Sequence, residues 1–176
     1  MIASRLPPLV GLALVVALGG CATSSGPSGQ IGSQETEGFD HRAAATAYAT
    51  LGREYLVRGS LDLAQARLER AVQLDPTLGP AHHDLAVVYG ELGNQVAAEV
   101  HYRRGLVLLS GDAAIRHNYG TWLYNQGRDG EAEQCFRWVI EHSDSEHRSE
   151  AYQRLGLLAQ RRGDSRQAEA YFSQAR

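Results

Sequence analysis

Residues 45–176 repeat themselves, and that repetition is the strongest constraint on what the chain can fold into. The pairs Leu51-Gly52, Leu85-Ala86, Tyr119-Gly120 and Leu155-Gly156 follow one another at spacings of 34, 34 and 36 residues. Gly59, Gly93, Gly127 and Gly163 keep those spacings, as do Ala64, Ala98, Ala132 and Ala168. Leu68, Tyr102, Phe136 and Phe172 come four residues after the alanines. Four columns in one register mean four copies of one supersecondary unit, each with an apolar face it cannot bury alone. Such units stack, and their stability accumulates through nearest-neighbour contacts.

The period, the early Leu-Gly pair, the middle alanine and the closing proline together resemble the tetratricopeptide pattern. The first unit, 45–78, carries it at Tyr48, Leu51, Gly52, Tyr55, Ala64, Leu68, Ala71 and Pro76. The resemblance implies an all-α fold, a right-handed superhelical solenoid of about four helix-turn-helix units. Units 79–112 and 113–146 follow, then a two-residue insertion at His147 and Arg148, then an incomplete unit over 149–176. Gly52, Gly120 and the four alanines suit close helix packing, and the middle glycines suit a tight interhelical turn. Asn94 and Asp164 stand at N-cap positions, Asp164 with Gln167 as a capping-box-like pair. Asp75-Pro76 closes the first unit because the residue before proline avoids the α region. With no polar cap after the last unit, Ala168, Tyr171 and Phe172 are expected to form a sticky C-terminal end.

Ahead of the repeats, Leu9 to Leu18 form an apolar run of ten residues, about half of what a membrane-spanning helix needs. It follows Arg5 and ends in Gly19 and Gly20, the layout of a secretory signal peptide over 1–20. Leu18-Gly19-Gly20-Cys21 resembles the bacterial lipobox. That resemblance implies that Cys21 is lipidated and becomes the new N-terminus, which anchors the chain to a membrane. Ala22 after the cysteine points, by the same resemblance, to the outer membrane and a periplasm-facing lipoprotein. Residues 21–44 read as the lipidated cysteine and a flexible linker, too polar to bury a core.

All 17 basic residues are arginine, against 20 acidic ones, for a formal net charge of −3. No stretch has the basic stripe that nucleic-acid binding requires. The seven histidines show no metal-ligand spacing: His82 and His83 point apart on a helix, and no HExxH or CxxC motif is present. Cys135 with His142 lacks an orienting acid and reads as a buried, inert thiol. With no phosphate loop or nucleophile elbow, the chain reads as a non-enzyme without cofactor, metal or small-molecule substrate. Its expected partners are proteins.

In tetratricopeptide domains the first helices of successive units line a concave groove. By that resemblance the groove-facing residues are Arg53, Leu56 and Val57, then His83, Val87 and Glu91. Unit three contributes His117, Thr121, Tyr124 and Asn125, and unit four Gln153, Leu157 and Arg161. Such a mixture suits an extended peptide or a partner helix. The segment RHNYGTWLYNQGR, Arg116 to Arg128, resembles the asparagine-tyrosine-glycine signature of the PilF/PilW family of type IV pilus biogenesis lipoproteins. Membership would imply a pilotin that brings the pilus secretin to the outer membrane and promotes its multimerisation. Tyr119, Gly120 and Leu123 have core spacing. Asn118, Trp122, Tyr124 and Asn125 are left over as partner contacts. The other reading is a general lipoprotein adaptor that docks envelope proteins such as cell-wall hydrolases.

Overall fold

A computed structural model describes residues 40–143 and 145–176. Among these residues the chain forms eight α-helices: α1 (His41–Val57), α2 (Leu61–Leu74), α3 (Gly79–Glu91), α4 (Gln95–Leu108), α5 (Ala113–Asn125), α6 (Asp129–His142), α7 (Ser145–Arg161) and α8 (Ser165–Gln174). They pair as antiparallel hairpins in chain order, and α1, α3, α5 and α7 run side by side. None of the described helices is long and apolar enough to cross a membrane. The expected signal peptide over 1–20 and the expected lipidation site Cys21 lie outside the described residues.

Each hairpin turns on its middle glycine, with φ of +72°, +77°, +73° and +80° at Gly59, Gly93, Gly127 and Gly163. A β-carbon is disfavoured in that left-handed region. Asn94 and Asp164 cap α4 and α8 as expected, each side chain accepting from the backbone N–H three residues on, at 3.1 and 3.0 Å. Asp112 caps α5 in the same way. The four column alanines are buried, and Leu68, Tyr102 and Phe136 are 0%, 3% and 0% exposed. Burying such a side chain contributes about 1.5–3 kcal/mol. Gly120 shows why its column stays small: a β-carbon there would lie 2.9 Å from both Cys135 Cβ and Phe136 Cε1.

Two boundaries differ from the sequence reading. His41–Ala44, expected in the linker, form the first turn of α1, because Asp40 accepts from the backbone N–H groups of Arg42 and Ala43. The insertion at His147 and Arg148 is helical and lies inside α7, which begins at Ser145 rather than Ser149. At the expected sticky end Ala168 is buried, while Tyr171 and Phe172 are half-buried, Phe172 packing against Gly156 and Arg137 reaching the Tyr171 hydroxyl at 3.2 Å.

Two apolar clusters form the core. One joins units one and two through Ala49, Leu68, Leu85 and Val88, and the other runs through units two to four. Tyr89 packs against both. Helices α4 and α5 meet over a shorter stretch than α2 and α3 or α6 and α7. Aromatic rings fill that junction, and a cleft opens beside them.

Candidate functional site: the cleft between α3 and α5

The cleft encloses about 320 Å³. Val87, Gly90 and Glu91 line it from α3, and Asn118, Thr121, Trp122 and Asn125 from α5. Tyr102 of α4 and Gln126, which follows α5, complete it. Four of the eight residues expected to contact a partner are therefore gathered at one place, together with the groove positions Val87 and Glu91.

Trp122 is the structural centre of this junction rather than a projecting anchor. It is 7% exposed, stacked on Tyr119 with centroids 5.9 Å apart and planes 14° from parallel. It is tilted against Tyr102 at 5.8 Å. Its indole Nε1 donates to Gln95 Oε1 at 2.9 Å, so the one polar atom of the ring is satisfied. A β-carbon on Gly90 would stand 3.3 Å from Trp122 Cδ1, and the glycine leaves that edge of the ring open to the cleft. Arg128 lies over the other side at 5.7 Å, held by Glu99 at 3.0 and 3.1 Å and by Glu131 at 2.8 Å. The Arg128 hydrogen bond is the largest influence holding the Glu99 and Glu131 carboxyls below their ordinary range.

The amide and hydroxyl groups differ in how far they are already used. Asn118 Nδ2 donates to His83 Nε2 at 2.8 Å, which ties α5 to α3 and requires that nitrogen to be unprotonated. Burial lowers the His83 pKa, with Asp84 partly opposing it. Thr121 Oγ1 is buried with no protein partner, and Asn125 is exposed. A buried hydroxyl without a partner costs free energy that an incoming hydrogen-bonding group recovers.

The remaining expected contacts lie elsewhere. His117 is 9% exposed, packs 5.7 Å from Phe136, and lines a separate hollow with Glu150, Gln153, Arg154 and Leu157. Its Nε2 is buried without a protein partner, and desolvation lowers its pKa despite Glu150. Tyr124 lies under the Arg161 guanidinium at 3.5 Å, and Arg161 also donates to the Tyr124 carbonyl and to Asp129 Oδ1. Arg53 is committed to Asp84 at 2.8 Å, with the carboxylate side chain only 8% exposed. Each of these groups braces neighbouring units.

Sequence reasoning missed Gly90, Gln95, Tyr102 and Arg128 as supports of the cleft. It also missed the contact between His82 Nδ1 and His101 Nδ1 at 3.0 Å, beside a His82 Nε2 to Pro76 carbonyl bond at 3.1 Å. Nothing in the spacing of those histidines marks a pair. Cys135 is 8% exposed, and burial pushes its thiol up to about 11, which disfavours the nucleophilic thiolate. His142 is occupied elsewhere, stacked on Trp138 at 4.3 Å. Among the described residues no group of three or more His, Cys, Asp or Glu is placed to hold a metal ion.

Comparison with known proteins bears on the same features. The tetratricopeptide repeat family matches residues 149–175. The type IV pilus assembly protein PilF of Pseudomonas aeruginosa is 34% identical over 162 residues, which span 92% of this chain and 62% of that protein. The solved structure of Pseudomonas aeruginosa PilF superposes with a TM-score of 0.72 at 33% identity, covering 77% of this chain and 61% of that one. The structure of PilW, described as a widely conserved type IV pilus biogenesis factor, gives 0.68 at 25% identity over 74% and 60%. The chain thus spans about three fifths of the length of these relatives. The chain is a tetratricopeptide-repeat protein, similar over 92% of its length to the type IV pilus assembly protein PilF.

Proposed function

We propose that this protein is an outer-membrane lipoprotein of type IV pilus biogenesis that acts as a scaffold and pilotin for the pilus secretin. The observation that carries the reading is the 34% identity to PilF across 92% of the chain, with the α5 wall of the cleft drawn from the segment Arg116 to Arg128 that resembles the family. The cleft has the composition of a peptide site: an aromatic floor at Trp122 and Tyr102, and hydrogen-bonding groups at Thr121, Asn125 and Gln126. Cys21 supplies the membrane tether in this reading. The all-helical repeat fold supports a role in protein interaction rather than catalysis.

The direct test is binding of purified secretin to the immobilised full chain. Retention of secretin is expected, with Thr121→Val and Asn125→Ala each weakening it by about tenfold. Failure to retain secretin removes the pilotin role, and retention by both variants at the unsubstituted level removes the cleft.

A further inference from the structure

The outward face of α4 departs from the repeat, and nothing described so far uses it. Val96, Val100 and Val107 are 78%, 60% and 71% exposed. With Arg103 they fall at steps of four, three and four residues, a stripe about 16 Å long on the side of the helix opposite buried Ala98, Tyr102 and Gly105. The other units are an internal control. One period earlier the stripe reads Asp62, Ala66, Glu69 and Gln73 on α2; one period later it reads Gly130, Gln134, Arg137 and Glu141 on α6. Valine gives no helix propensity in return for its exposure, so the stripe does not serve α4 itself.

We propose that this stripe docks a partner's amphipathic α-helix with an acidic flank. Alternating steps of four and three are the spacing of a seam between two packed helices. Charge sets the kind of helix. The Arg103 side chain, 65% exposed, sits within the seam, paired to Glu99 at 2.7 Å. Arg104 is exposed on the adjoining flank. A second copy packed in parallel across a two-fold axis along α4 would set these arginines against their own counterparts. A membrane surface is the poorer fit, because interfacial helices insert Trp, Phe or Leu and this stripe offers valine alone. A helix whose carboxylates face Arg103 and Arg104 answers both features. The surface lies on a different helix face from the cleft, so it stands whatever the cleft holds.

The test places a benzoylphenylalanine photo-crosslinker at Val100 of the full chain, expressed from its own gene, and sequences the crosslinked segment. The expected product is one protein, joined through a segment with apolar residues at steps of three and four and Asp or Glu beside them. Its yield should fall about tenfold or more when Val96 and Val107 are both changed to Glu. Arg104→Glu should lower it while Arg104→Lys keeps it, a contrast that misfolding cannot mimic. A copy-to-copy adduct, a lipid adduct, or a yield no greater than with the probe at the equivalent Gln134 would overturn the proposal.

Discussion

Asn118 Nδ2 donates to His83 Nε2 across 2.8 Å and joins α5 to α3 beside the cleft. The bond exists only while that nitrogen carries no proton. His82, His83, His101 and His117 all have pKa values below the ordinary 6.5, in each case chiefly through burial. Their unfolded forms therefore take up protons before their folded forms do, so the unfolded state binds more protons and stability rises with pH. The thermal midpoint should be flat above about pH 7 and fall as the pH drops through 6.5 toward 5.5. His83→Gln, which keeps an acceptor for Asn118, should reduce that slope. A midpoint that rises on acidification would contradict the assignment.

Trp122 is both floor of the cleft and filler of the junction between units two and three. Trp122→Ala should cost about 3–5 kcal/mol in urea unfolding. Trp122→Phe, which keeps most of the ring but leaves Gln95 Oε1 without the indole donor, should cost about 1 kcal/mol from the lost bond plus the smaller repacking loss. Equal effects of the two substitutions would mean that ring packing contributes little.

Thr121→Val separates folding from binding. The hydroxyl has no protein partner in the folded chain, so its replacement by a methyl group of the same shape should leave the unfolding free energy unchanged or slightly raised. A loss of stability above about 1 kcal/mol would show that the hydroxyl has a structural bond after all.

Gly120→Ala should destabilise by about 1–3 kcal/mol through overpacking, because the new β-carbon meets Cys135 Cβ and Phe136 in the interior of the hairpin. Gly130, in the same unit, has nothing within 4 Å of its added β-carbon. Gly130→Ala is the matched control, and its unfolding midpoint should not fall.

How much of this was legible in the sequence differs by feature. The four columns were sufficient for the helix pairs, because each column residue does one local job: Gly127 makes a turn, Phe136 fills the space over Gly120, and Ala132 is buried in the core. Units 79–112 and 113–146 begin where α3 and α5 begin. The start of α1 was also written in the chain, as Asp40 followed by a run of helix formers, and was missed because the repeat pattern begins later. Trp122 read as an anchor because it is an aromatic residue outside the core spacing of Tyr119, Gly120 and Leu123, and only the folded chain shows it packed beside Gly90 and Tyr102. The cleft depends on how far α3 stands from α5, which the aromatic rings between them set and no spacing encodes. Arg53, Tyr124 and Arg161 were expected on the groove side, but their ion-pair and ring partners lie 31 to 37 residues away and were not predictable from motif.

The central claim, a pilotin role, is tested most directly by following heat- and detergent-resistant secretin multimers in outer-membrane fractions from wild-type, deletion and complemented cells. The account predicts that multimers disappear in the deletion strain and return with the intact gene. Multimers unchanged by the deletion would contradict it.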